Sequence, residues 1–340
     1  MKTMESIGKI SEMMMLPLAA KSLNVAAEIG VADIINESTI HIETLSESME
    51  VDKVILLNLI KVTSLFGFFT IDSDGYVKNS DYSMFLTTDH PQSMRQFCRL
   101  FGHEYYNAYD GLLHTTKTTN SGFKHIYSKT LYEYLDDTPD RALVYDLAMR
   151  DFSRPVGKEI TKTFAEMFSN SKKIIDIGGG SGVITIEVLK QFGHLTGCIF
   201  DREDVCTRNK DHLPKSVRDR ITLHPGDFFD SVPSGYDVYI LKNVLHNWND
   251  QSSSSILKTI SRSIGNGRLL IVEPIVTKKE DSPRLIFNAL FQSVICEDGT
   301  HPRDTLDIES LVNATGFTIA RAEKLLTGHT AFELVKPSSL

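Results

Sequence analysis

The chain has 340 residues, 41% of them hydrophobic and 24% charged, which is roughly twice the length of one domain and ample for sizeable cores. Its formal net charge is −8, from 36 Lys and Arg against 44 Asp and Glu, so no overall basic surface invites nucleic acid. The longest uncharged run, residues 285–296, falls short of the roughly 18 apolar residues a membrane helix needs, and Lys2, Glu5, Lys9 and Glu12 interrupt the start that a secretory signal would require.

Along the first half, apolar residues recur at helical spacing and predict helices over 11–35, 42–47, 53–66, 94–114 and 138–149. Segments 44–50, 52–67 and 68–78, the last with an Asp74-Gly75 turn, read as two short helices and a hairpin in the manner of a winged helix. A DNA-binding role for it is disfavoured by charge: residues 1–95 hold seven Lys or Arg against thirteen Asp or Glu, a balance of −6. The apolar cluster Met13, Met14, Met15, Leu16, Leu18, Leu23, Val25 and Ile29 predicts instead a homodimer interface. Cys98, Cys198, Cys206 and Cys296 show no CxxC spacing and no zinc-finger partner, as expected of a cytoplasmic protein with free thiols.

Beyond residue 170 the pattern changes to β-branched strands alternating with helices. Strands are expected at 173–177, 196–201, 221–223, 238–241, 268–272, 317–324 and 330–336. Such alternation predicts an α/β fold, a doubly wound and mostly parallel sheet. No helix fits between the final two strands, which should close the sheet as an antiparallel hairpin.

The first of these strands runs into Asp176-Ile177-Gly178-Gly179-Gly180-Ser181-Gly182 and then a helix, the turn at which such sheets bind nucleotides. A dinucleotide fingerprint would place its third glycine at Val183, so a nicotinamide oxidoreductase is disfavoured. The next strand ends in Asp201, placed to accept from both ribose hydroxyls of an adenosine. Gly226-Asp227-Phe228 follows a third strand, where a carboxylate meets an adenine amino group and an aromatic ring covers the base.

These motifs carry a family resemblance. Residues 172–340 resemble a class I S-adenosylmethionine-dependent methyltransferase. The whole chain resembles the small-molecule O-methyltransferases of the caffeic acid and hydroxyindole type, including bacterial ones that decorate natural products. Leu241-Lys242-Asn243-Val244-Leu245-His246-Asn247-Trp248-Asn249-Asp250 and Glu273-Pro274 match further family motifs. The resemblance implies S-adenosyl-L-methionine as cofactor. It makes Gly178, Asp201, Asp227, Phe228 and Lys242 its contacts, with Asp176, Gly180, Gly182, Arg202 and Gly226 in the same motifs. It also implies a seven-stranded sheet and three regions. Residues 1–95 would be a winged-helix-like dimerisation domain, 96–168 a helical segment lining the acceptor pocket, and 169–340 the cofactor-binding domain.

His246 lies just past the fourth strand, at the lip of the crevice. A phenol with a pKa of about 10 needs a base at neutral pH, and histidine suits that task. Glu273 ends the following strand and should lie beside it; in the family such a carboxylate fixes the imidazole's tautomer. Plant members carry a second glutamate in the loop that here reads Gly299-Thr300-His301-Pro302-Arg303-Asp304, so that either His301 or Asp304 substitutes for it or the role is absent. No metal-ligand cluster is apparent, and none is expected.

For the acceptor, aromatic density around Phe101, Tyr105, Tyr106, Tyr109, Phe123, Tyr127 and Phe152 suggests a flat aromatic molecule. Phe287, Phe291 and Val294 share a helical face, with Asn288 and Gln292 on the same helix. Met149 corresponds by resemblance to a methionine that packs on the acceptor ring. The reaction expected is O-methylation of a small phenolic or heteroaromatic metabolite, with His246 as base. The same fold and cofactor also serve N- or C-methylation or a non-methylating reaction, and a winged-helix binding module is the non-enzymatic alternative.

Overall fold

In a computed structural model, which describes residues 2–277 and 282–337, the chain divides into two units, Met1–Tyr106 and Asn107–Leu340. The first begins with the long helix α1 (Lys2–Ile29) and the short α2 (Val31–Ile35). Then come β1 (Thr39–His41), α3 (Ile42–Ser48), α4 (Lys53–Ser64), β2 (Thr70–Ile71) and β3 (Tyr76–Lys78). Asp52 starts α4 by accepting from the Ile55 N–H at 2.9 Å. Asp72 organises the hairpin turn by accepting from the Asp74 and Tyr76 N–H groups, and Gly75 takes the positive φ of 87° that this turn requires. β3 pairs antiparallel with both β2 and β1, and β1 is too short to have shown a strand pattern in the sequence. Ile35, Leu45, Leu56, Ile60, Phe69 and Val77 form this unit's core. Met13, Met14, Met15 and Leu18 on α1, with Val54, Ile55, Leu65 and Phe66 on or just past α4, stay exposed.

The single helix expected over 94–114 is instead broken into α5 (Arg95–Phe101), α6 (Glu104–Ala108), a 3-10 turn at Tyr109–Gly111 and α7 (Leu112–Thr118). The breaks fall at close approaches. A Cβ on Gly102 would lie 2.3 Å from that of Asn24, and one on Gly111 would lie 2.5 Å from the Gly122 backbone.

The second unit continues with α8 (Gly122–Tyr127), α9 (Leu131–Asp137), α10 (Pro139–Thr163) and α11 (Ala165–Ser169). There follow β4 (Lys173–Ile177), α12 (Val183–Gln191), β5 (Thr196–Asp201), α13 (Glu203–Asn209), β6 (Ile221–Pro225) and β7 (Val238–Lys242). α14 (Asp250–Ser263), β8 (Arg268–Glu273), α15 (Pro283–Ile295), α16 (Thr305–Asn313), β9 (Thr318–Lys324) and β10 (Thr330–Val335) complete it. α10 runs fourteen residues past its expected end at Met149. The continuation was hidden because Asp151, Ser153 and Pro155 interrupt its apolar pattern, and the buried Asp151 is paired with Arg150 and Arg154.

The seven strands lie in the order β6-β5-β4-β7-β8-β10-β9. The first five are parallel, and β10 runs antiparallel to both β8 and β9, as the expected terminal hairpin. Alternate residues of each central strand enter opposite cores. Ile175, Tyr239, Leu241 and Ile271 pack on one face of the sheet, and Ile174, Val238, Ile240 and Leu270 on the other. Helices therefore cover both faces, and the binding edge is the one where the parallel strands end. Among the described residues, no helix is long and apolar enough to cross a membrane.

Candidate active site

At the carboxyl end of β4 the backbone turns through Gly178, Gly180 and Gly182, with φ of 67°, 54° and 71°. These left-handed conformations suit glycine. Gly182 also permits α12 to start against β5, since a Cβ there would sit 2.1 Å from Ile199 Cδ1. At Gly180 a Cβ would meet nothing within 4 Å, so its α-carbon borders open space. Asp201, at the end of β5, accepts from the Gly180 N–H through Oδ2 and from the Arg202 N–H through Oδ1, both at 2.8 Å. Burial pushes its carboxyl up to about 6 even so. The Arg202 side chain donates to Asp136 and lies over the Tyr132 ring.

Gly226 packs on the Phe200 ring, and the Asp227 carboxylate accepts from the Phe229 N–H at 2.8 Å. Phe228 meets Trp248 edge-on at 6.0 Å, and Tyr132 stacks on the same indole at 5.7 Å. The buried Lys242, at the end of β7, donates from Nζ to Ser153 Oγ at 2.6 Å, and burial pushes it down to about 8. These groups border a cavity of about 240 Å³, joined by Tyr145, Asp146, Met149 and Asn243. A larger cavity of about 640 Å³ lies by Asp237, Gly267 and Arg268, at the opposite edge of the sheet, away from all of these acids.

Asp176 is buried beneath the glycine turn and accepts from Thr185 Oγ1 at 3.2 Å. Burial pushes it from an ordinary 3.8 up to about 7. The folded chain thus holds this proton more tightly than the unfolded one. The resulting stability is complete below 3.8 and is lost as pH rises through about 7. In the cofactor-free protein, the fall in urea midpoint between about pH 5 and about pH 8 should shrink in Asp176→Asn, whose side chain stays neutral. Parallel urea titrations of the two proteins check this.

His246 sits in a 3-10 turn, Leu245–Asn247, directly after β7. Its Nδ1 lies 2.7 Å from Oε2 of Glu273, the buried last residue of β8. Glu273 Oε1 accepts from the Val244 and Leu245 N–H groups, both at 2.8 Å. A carboxylate so anchored holds Nδ1 as the N–H and leaves Nε2 with the lone pair. Val244 and Asn247, on either side of His246, line the cavity. The turn is clamped from outside by the buried Arg303, which donates to the Leu245 and Trp248 carbonyls at 2.8 Å, to Asp250 and to Ser253. Asp304 is engaged in capping α16 and His301 is exposed, so Glu273 is the carboxylate against His246.

The acceptor candidates divide. Met149 lines the cavity, and the Phe152 ring lies 5.5 Å from Lys242 Nζ. On α15 Gln292 is buried, Asn288 and Phe291 are half-buried, and all three lie outside the cavity's lining; Phe287, expected on the same face, is exposed. Tyr105 and Tyr106 belong to the first unit, where Tyr105 packs on Phe101 and Tyr106 donates to the Pro17 carbonyl. Sequence reasoning missed Tyr132, Tyr145, Asp146, Ser153 and Arg303. None belongs to a motif, and a buried polar side chain shows its partner only in three dimensions.

Whether the cavity suits a nucleoside sulfonium can be read from its donors and acceptors. A glycine turn bordering open space, a strand-end carboxylate with unused lone pairs, and aromatic rings beside a second acid match an adenosine. Asn243 Oδ1, buried at the cavity wall, has no hydrogen-bond partner among the described residues, which suits a ligand with a donor to give.

Comparison with known proteins places these features. A family model described as an O-methyltransferase domain matches residues 105–318. A phenazine O-methyltransferase of Lysobacter antibioticus is 29% identical over 92% of this chain and 91% of its own. A phenazine-1-carboxylate N-methyltransferase of Pseudomonas aeruginosa is 26% identical over 89% of each. Human N-acetylserotonin methyltransferase, solved in complex with S-adenosylmethionine, has the same fold, with a TM-score of 0.89 at 20% identity over 98% of both chains.

Proposed function

The chain belongs to the S-adenosylmethionine-dependent O-methyltransferases of natural-product biosynthesis, and from that premise we propose that it methylates a hydroxyl of a small aromatic metabolite, with His246 as general base. The observation that carries the reading is the 2.7 Å pair of His246 Nδ1 and Glu273 beside the glycine-lined cavity. The phenazine acted on by the Lysobacter relative is the kind of flat heteroaromatic that the residues around Met149 and Phe152 suit.

The cofactor, when bound, supplies an electrophilic methyl group on sulfur. The glycine turn admits its backbone-facing side, and Asp201, with two oxygens already oriented by amides, accepts from the ribose hydroxyls. Asp227 and Phe228 attend the base, and Lys242 Nζ is fixed by Ser153. His246 Nε2 takes the acceptor's hydroxyl proton as the oxygen attacks, and Glu273 stabilises the imidazolium that results. Holding oxygen and methyl in line supplies most of the acceleration. N-methylation is the second reading, favoured by the Pseudomonas relative. Incubation with isotopically labelled S-adenosylmethionine and hydroxylated or unsubstituted phenazines tests both: a methyl ether supports the proposal, and an N-methyl product overturns it.

Asp201→Ala should weaken S-adenosylmethionine binding by roughly 1.5–3 kcal/mol, the worth of a charge-assisted contact. Unchanged affinity in titration calorimetry would remove Asp201 from the site. The enzyme is further proposed to work as a cytoplasmic homodimer assembled through the exposed apolar faces of α1 and α4. Light scattering should give twice the chain mass of 38.1 kDa, and the single mass would refute the dimer.

A further inference from the structure

Asn243 has a φ of 55°. Left-handed backbone is costly for residues with a Cβ, least so for Asn and Asp. Thr119 and Ser128, which share it, end the helices α7 and α8. Asn243 ends no helix. It follows the last residue of β7, and among the described non-glycine residues of positive φ it alone lines the cavity beside the glycine turn. Its two peptide groups serve different neighbours. The Asn243 N–H donates to the Val272 carbonyl on β8 at 3.0 Å, and the Asn243 carbonyl accepts from Asn247 Nδ2 within the turn at 3.2 Å. Between them the chain reverses. Val244 returns to the right-handed region, with φ −107° and ψ −55°. The N–H groups of Val244 and Leu245 then converge on one oxygen of Glu273, each at 2.8 Å.

Resting on the reading of His246 as base, we propose that Asn243 is a positioning residue for it: the left-handed backbone of Asn243 builds the pair of amides that holds Glu273, and Glu273 in turn holds His246. Neighbouring residues of opposite hand turn successive N–H groups toward one side and make a concave anion site. Glu273 is 2% exposed, and a buried carboxylate keeps its charge only where donors meet it. Among the described residues, Val244 and Leu245 supply the donors to Oε1, and His246 Nδ1 stands against Oε2. Were Asn243 to relax to a negative φ, both amides would swing away and Oε2 would lose its aim at Nδ1. Strained backbone of this kind gathers at working sites, where the surroundings hold it in place. The side chain of Asn243 faces the cavity, so the same residue joins the wall of the cofactor site to the support of the base.

Glycine tolerates positive φ and alanine resists it, yet both lack the Asn243 amide and neither adds bulk. The test compares Asn243→Gly, Asn243→Ala and Asn243→Val in the full chain with S-adenosylmethionine and a hydroxyphenazine. Turnover should fall in the order Gly, Ala, Val, with Ala roughly five- to thirtyfold below Gly, the cost of the left-handed region. Affinity for S-adenosylhomocysteine should be the same in the Gly and Ala variants, which differ by one methyl group. The proton between His246 Nδ1 and Glu273 gives a readout independent of turnover. Its resonance should lie far downfield in the wild type and be absent from His246→Ala, which identifies it. It should persist in Asn243→Gly and fade in Asn243→Ala and Asn243→Val. Equal turnover and equal resonance in the Gly and Ala variants overturn the inference. So does a Gly variant as impaired as Val, which would assign the effect to the lost amide. A resonance that fades in the expected order with no change in turnover confirms the support of Glu273 and sinks instead the reading of His246 as base.

Discussion

Replacing His246 by Ala is expected to lower turnover of a phenolic acceptor by about 10²–10⁴-fold while S-adenosylmethionine affinity stays within a few fold. The cost is confined to turnover because the imidazole is tied to Glu273, whereas the glycine turn, Asp201 and Asp227 stand on other strands. Glu273→Gln should act in the same direction less severely. The amide still accepts at one oxygen but gives up the charge that stabilises an imidazolium. In wild type, a reaction that depends on an unprotonated base should lose activity on acidification. In His246→Ala that limb should vanish, and turnover should climb toward alkaline pH as free phenolate accumulates. Rates across pH for the three proteins with one phenol decide the matter. Near-normal turnover of His246→Ala at neutral pH would leave positioning alone to drive the reaction.

The second large effect is expected at Arg303, which touches no reacting atom. Its guanidinium is buried and holds the turn bearing His246 through the Leu245 and Trp248 carbonyls and Ser253, with Asp250 as its partner carboxylate. Arg303→Met keeps the apolar stem and strands those acceptors, a loss of about 2–4 kcal/mol by the worth of charged hydrogen bonds in buried settings. The urea midpoint should drop accordingly, and kcat should fall more than cofactor affinity because the slackened segment carries the base. A midpoint within error of wild type would show that the clamp is dispensable.

Some of this was legible from the sequence for a definite reason. Strands buried on both faces read as unbroken apolar runs, so β4, β5 and β7 announced themselves, and Asp176 within β4 and Asp201 at the end of β5 followed by position. The pairing of His246 with Glu273 followed likewise, since both lie at the ends of adjacent parallel strands. Arg303 and Asp146 were illegible because their meaning is relational. Asp146 matters for Arg208 and Asn209, more than sixty residues away, and nothing in its own helix marks it. The breaks at Gly102 and Gly111 were hidden in the same way, since the neighbours that force them, Asn24 and Gly122, lie outside the local window.

The place of β10 in the sheet has a consequence for how the protein is made. This strand follows all the others in the chain, yet it inserts between β8 and β9. Until it leaves the ribosome, the outer edge of β8 has no partner, and Leu269, Ile271 and Glu273 lie along a strand whose amides and carbonyls on that side face water. The nascent chain must therefore carry an open edge through the synthesis of more than fifty further residues, the time at which pairing with another chain is easiest. A stop codon anywhere after β8 and before β10 would make that condition permanent, so such truncations should be cleared or aggregate and leave no partly active enzyme.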